Sequence, residues 1–115
     1  MPAAAAPRWF FDSFPGLGHA WTAAYPPYNE HLVTDLGAAF LTLGALLLAA
    51  AWLADRRVTL VVLGGVLLYS CVHLAFHLLR HGTLGGVDLA ASLVALALGV
   101  GIPAVLLVLC TRGPA

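Results

Sequence analysis

The sequence contains no lysine, and its five arginines are balanced by five acids over 115 residues. Charged residues make up 9% of the chain, where a soluble domain carries roughly 25%. So sparse and balanced a set cannot cover a soluble surface. It offers no basic patch to neutralise phosphates, which excludes nucleic acid as a partner. A mean hydropathy of +0.97 excludes disorder. Cysteine is also scarce. Cys71 and Cys110 set no disulfide framework, and no C-x-x-C or Cys/His spacing for a zinc module exists. The opening Met1–Arg8 lacks a basic region followed by an apolar run, so it does not read as a signal peptide.

What the chain has instead is long apolar runs. Val33–Ala54, Val58–Leu79 and Val87–Cys110 hold 22, 22 and 24 residues, with Asp35 and Asp88 as their only formal charges. Each exceeds the ~20 residues that cross a ~30 Å hydrocarbon core. Leu and Ala dominate them and polar alternation is missing, so strands are disfavoured. Lipid cannot satisfy open backbone groups, which leaves helices. The fold class is therefore all-α: a polytopic membrane helical bundle with three transmembrane helices at about 33–54, 58–79 and 87–110. Residues 1–115 form a single membrane domain, with 33–115 as the bundle and 1–32 as an interfacial or lid segment. Short connections at 55–57 and 80–86 force antiparallel neighbours. Pro103, following Gly99 and Gly101, predicts a kink or local unwinding. Gly64-Gly65 predicts a close helix contact.

Residues 1–32 hold seven of the eleven aromatics and five of the seven prolines. That is too interrupted for a span and too aromatic for a free tail. Trp and Tyr favour the headgroup layer, so Arg8–Tyr28 reads as a segment on the membrane surface with a short helix around Phe10–Phe14. A cap packed over the helix ends is the equal alternative. The lipid bilayer is the implied partner, and a homo-oligomer is compatible. Arg56, Arg57 and Arg112 against Arg8 and Arg80 put the 55–57 loop in the cytoplasm and the N-terminal segment outside. Arg56 and Arg57 read as topology signals and lipid-phosphate contacts.

The ionisable groups are concentrated. Glu30, His31 and Asp35 open the first span; His73, His77, Arg80 and His81 close the second; Asp88 opens the third. An up-down-up path brings these ends to one membrane face. At ~100° per residue, Tyr69, Ser70, His73, His77, Arg80 and His81 fall in one stripe of ~120°. The histidines at i, i+4 and i+8 stack along it. Polar groups at such depth rarely face lipid, so the stripe is expected to turn inward. Three readings follow. The His and carboxylate side chains lock the helices in register; or they bind a small ligand; or His73, His77 and His31 hold a metal or haem. No cofactor is required by the pattern. Ser70 lies three residues from His73, but no nucleophile–base–orienter set exists, so the chain reads as non-enzymatic. The rivals are a membrane redox protein and an oligomeric proton or small-solute transporter. His19 and Asp12 join the cluster only if the aromatic segment folds back.

Phe11-Asp12-Ser13-Phe14-Pro15-Gly16, Trp21, Pro26-Pro27-Tyr28-Asn29-Glu30-His31, Asp35-Leu36-Gly37 and the pair His73/His77 together resemble a known group. It comprises small uncharacterised bacterial membrane proteins, mainly actinobacterial, of the DoxX-like four-helix type. The likeness covers roughly Arg8 to Asp88. It implies a cell-membrane location and four helices, the first preceding the Phe11–Gly16 motif. Only Met1–Pro7 stands there, so a short form or a late-assigned start is expected. Some members are linked to quinone-coupled sulfur oxidation or redox homeostasis, but no catalytic motif accompanies the link here.

Overall fold

The computed structural model describes residues 2–112. Two short helices, α1 (Pro2–Ala5) and α2 (Pro7–Ser13), precede a minimal hairpin of β1 (Pro15–Gly16) and β2 (His19–Ala20). A 3-10 turn at Thr22–Ala24 leads to three long helices, α3 (Glu30–Leu53), α4 (Arg56–Leu79) and α5 (Gly86–Arg112). Among the described residues these three are long and apolar enough to cross a membrane. Most of their side chains are outward-facing and apolar, among them Val61, Leu68, Val94, Leu98 and Ile102. In water such a surface would aggregate; in a bilayer it is the solvated surface. The all-α fold and the character of a multi-pass membrane protein follow.

Helix starts lie one to three residues ahead of the apolar runs, because polar caps extend them. Asn29 Oδ1 accepts the Leu32 N–H at 3.0 Å and so starts α3 at Glu30, an acid at the positive end of the helix dipole. Asp55 Oδ1 accepts the N–H groups of Arg57 and Val58, both at 2.9 Å, and starts α4. Helix α5 runs on through Pro103, so of the kink or local unwinding expected there, the unwinding does not occur. Membrane helices tolerate proline where neighbouring groups or small local adjustments re-satisfy the freed carbonyl.

The chain divides into two compact units. One contains residues 1–42 and 80–92. Its core is Ala3, Phe10, Phe11 and Val33, with Ala23 and Tyr28 packed against it. Phe11 meets Tyr28 edge-on at 5.3 Å, and the Arg8 guanidinium lies 4.8 Å from the Tyr28 ring centre. Helix α1 presses on α3 at Gly37: a Cβ there would lie 2.8 Å from the Ala3 carbonyl carbon. The short helix expected around Phe10–Phe14 is α2, and the aromatic segment is a packed cap within this unit.

The second unit contains residues 43–79 and 93–115. Ala50, Leu63 and Pro103 are buried in it. A Cβ on Gly99 of α5 would meet Ser70 Oγ of α4 at 4.0 Å. Arg56, at the start of α4, donates from Nε to the Cys110 carbonyl at 3.0 Å and from Nη2 to the Thr111 carbonyl at 2.8 Å. It thus satisfies orphan carbonyls at the negative end of α5, a structural role beyond a topology signal. Gly64 and Gly65 have nothing within 4 Å of a notional Cβ, so they do not mark the close contact expected of them.

Candidate functional site

The ionisable residues singled out in the sequence fall into three arrangements. The first is built around Asp88, in the opening turn of α5. The β1–β2 hairpin reverses at Leu17-Gly18 through left-handed backbone (φ 56° and 86°), and pairing continues beyond it through Trp21 N–H to the Phe14 carbonyl at 2.7 Å. This presents His19 and Trp21, two residues apart, to one acceptor. His19 Nδ1 lies 2.7 Å from Asp88 Oδ1, and Trp21 Nε1 donates to the same oxygen at 3.0 Å. The indole and imidazole thus converge on one carboxylate oxygen.

The 80–86 loop completes this clamp through its backbone. Tyr25 Oη donates to the Arg80 carbonyl at 3.2 Å, and Thr83 N–H donates to the Ala24 carbonyl at 3.1 Å. Burial raises the Tyr25 phenol above its ordinary range, which keeps it a donor. Gly82 sits at φ +57°, and a Cβ there would strike the Ala24 carbonyl oxygen. Arg80 and His81 themselves are exposed, and His81 enters through its carbonyl, which accepts the Leu84 N–H at 3.0 Å.

The second arrangement lies on the first turns of α3. His31 Nε2 is 3.3 Å from Asp35 Oδ2, an i, i+4 pair with side chains 86% and 61% exposed. Glu30 is exposed beside it. Asp12 does not join the Asp88 clamp; it pairs with Arg8 Nε at 2.7 Å along α2.

The third arrangement is the histidine stripe of α4. His73 Nε2 and His77 Nε2 lie 3.0 Å apart, with ring centres at 4.8 Å and planes 22° apart. Tyr69 meets His73 edge-on at 5.6 Å, and Phe76 meets His77 edge-on at 5.4 Å. At ~1.5 Å rise per residue, His73 is ~9 Å and His77 ~3 Å from the end of α4 at Leu79. Cys71 is exposed and points off the stripe. The two nitrogens face each other, one able to donate and the other to accept, so the pair can share one proton. Replacing that proton by a metal ion uses both lone pairs. Both rings spring from one helix, so a porphyrin between them would run into the helix that carries them.

Among the described residues, no group of three or more His, Cys, Asp or Glu side chains is placed to hold a metal ion. The metal expectation is therefore carried by His73 and His77, while His31 is engaged with Asp35. His19 joins Asp88 as expected of a folded-back segment, while Trp21 and Tyr25 are site-forming residues that the sequence did not single out. The signal that could have found them is the crowding of aromatic and turn residues in a segment without a span of its own. No protein-family model, curated protein or solved structure matches this chain.

Proposed function

We propose that this is a multi-pass protein of the bacterial cell membrane, of the DoxX-like kind its motifs resemble, that binds a transition-metal cation on the His73–His77 pair. The aromatic cap lies on the extracytoplasmic side, following the arginine distribution. The 3.0 Å approach of the two Nε2 atoms carries the metal reading. Imidazoles are costly in a membrane-spanning helix unless their nitrogens are engaged. Two imidazole nitrogens converging on one point are what a metal ligand set supplies once the shared proton is gone. Asp88, by contrast, is read as structural, because its contacts hold the cap.

The test is metal content. Full-length protein in nanodiscs is dialysed against single metal salts and the bound metal counted. The expected result is one cation per chain that is lost in His73→Ala and in His77→Ala, with helical circular dichroism retained. Equal binding by both variants, or none by the parent protein, overturns the reading. One observation favours a second reading: the two nitrogens are in hydrogen-bonding geometry, which also suits proton transfer. Proton flux in liposomes that stops in both variants, without any bound metal, would assign the pair to a relay.

A further inference from the structure

We infer that the aromatic cap is seated in the lipid leaflet beside the helix ends, with Trp9 and Leu17 inserted where the headgroups of a neutral phospholipid surface give way to acyl chains. This seat does not depend on the metal site. Three observations within residues 1–42 and 80–92 lead to it.

The first is depth. Charges stay among headgroups, so the last charge in the opening turns of a span marks where acyl chains begin. On α3 that charge is Asp35 and on α5 it is Asp88, which puts the boundary near Leu36 and Leu89. Helix α1 packs on Gly37, where a Cβ would lie 2.8 Å from the Ala3 carbonyl carbon. Gly37 is ~10 Å along α3 from Glu30, just past that boundary. The hairpin meets the same boundary on α5, because His19 and Trp21 both contact Asp88. At this level the surroundings of a membrane helix are lipid.

The second is apolar exposure. Trp9 is 59% exposed, although Phe10 and Phe11 beside it on α2 are buried. A tryptophan so placed suits the headgroup layer, where its ring is apolar and its N–H stays wet. Leu17 is fully exposed at the hairpin tip and holds a φ of 56°. Left-handed backbone suits Gly or Asn, and a turn surrounded by water is better served by either. At full exposure the Leu17 side chain gains little from the chain itself. Acyl chains are the surroundings in which it gains.

The third is charge. Residues 2–42 and 80–92 carry two arginines, Arg8 and Arg80, against the four acids Asp12, Glu30, Asp35 and Asp88. Arg8 is moreover paired with Asp12 at 2.7 Å. Anionic headgroups are held by clusters of Lys and Arg, and no such cluster stands here. Apolar insertion therefore carries the seat, and neutral lipid suffices.

The test reads depth directly. Cys71 and Cys110 are free and are replaced by Ser. In that background a nitroxide is attached singly through Trp9→Cys, Leu17→Cys and His81→Cys, in phosphatidylcholine nanodiscs. His81, exposed in the 80–86 loop, is the water-side reference. Oxygen collects among acyl chains and a nickel chelate stays in water. The oxygen-to-nickel collision ratio at 9 and at 17 should exceed that at 81 by at least ~fivefold. It should not change when phosphatidylglycerol is mixed in. A label at 9 or 17 as open to nickel as the one at 81 overturns the seat. A label closed to both reagents overturns it too, since protein then covers the position. A ratio that rises only with phosphatidylglycerol overturns the neutral surface. Leu17→Asn is the second variant, and its backbone suits the left-handed turn at least as well. Losing the seat should speed cleavage within 1–29 roughly fivefold in nanodiscs. Unchanged or slower cleavage would mean that Leu17 only shapes the turn, and overturns its insertion.

Discussion

Two His–Asp pairs sit in the same unit and differ in almost every respect. His19–Asp88 joins residues 69 positions apart at 2.7 Å, with side chains 47% and 40% exposed. His31–Asp35 joins residues one helical turn apart at 3.3 Å, with side chains 86% and 61% exposed. The first pair shares its acceptor oxygen with the Trp21 indole and ties the cap to the start of α5. The second links α3 only to itself. An ion pair stabilises a fold to the extent that it fixes chain segments that would otherwise separate, and in proportion to its shielding from water. The long-range pair therefore holds architecture, and the local pair decorates a helix.

The sharpest break of that contrast comes from the backbone beside the clamp. Gly82→Ala combines left-handed backbone with a Cβ driven into the Ala24 carbonyl. Unfolding of the cap should become easier by about 3 kcal/mol, the sum of the conformational and overpacking costs. Limited proteolysis within 1–29 and quenching of Trp21 fluorescence measure it. A variant with a parent-like cleavage rate would show that the 80–86 loop does not brace the cap. Next in size is Asp88→Ala, which removes the acceptor of both His19 and Trp21. Cap cleavage should accelerate roughly tenfold. Trp21→Phe, which leaves the His19 contact in place, should give a smaller acceleration. An equal effect of the two would place the whole clamp in the indole.

The membrane spans were legible in the sequence because apolar length alone dictates them: Val33–Ala54, Val58–Leu79 and Val87–Cys110 become α3, α4 and α5 with small shifts. The shifts come from caps, Asn29 and Asp55, whose effect is local. The i, i+4 partners His31/Asp35 and His73/His77 were legible for the same reason, since helix period fixes them. The cap was not. Its hairpin consists of two-residue strands, and its contacts to Arg80, Thr83 and Asp88 bridge more than fifty residues. No periodic pattern encodes such a match. Gly64-Gly65 shows the converse error: a residue type suggested a close contact that the packing within the chain does not make.

Arg56 extends the comparison to the opposite end of the spans. It is exposed, yet it bridges the start of α4 and the last carbonyls of α5, 54 and 55 residues away. By the reasoning applied to His19–Asp88, this reach should matter more than the exposure. Arg56→Gln should lower stability by about 1 kcal/mol, and Arg56→Lys should recover only part, because one ammonium cannot present the two-nitrogen fork. Thermal unfolding in detergent measures both. Full recovery by Lys would reduce the contact to a charge effect.

The smallest effect belongs to the local pair. His31 stands in the first turn of α3 and its partner Asp35 lies one turn further along the same helix, so the contact fixes no second segment. Exposure of both side chains lets water and salt screen what attraction remains. His31→Ala should therefore change stability by less than about 0.5 kcal/mol, and Ala, the better helix former, can offset even that. Paired with His19→Ala in the same thermal and proteolysis assays, it isolates sequence separation as the variable. The His19 variant should open the cap measurably and the His31 variant should not. Equal effects would mean that the contact chemistry, common to both pairs, outweighs the chain length each one closes.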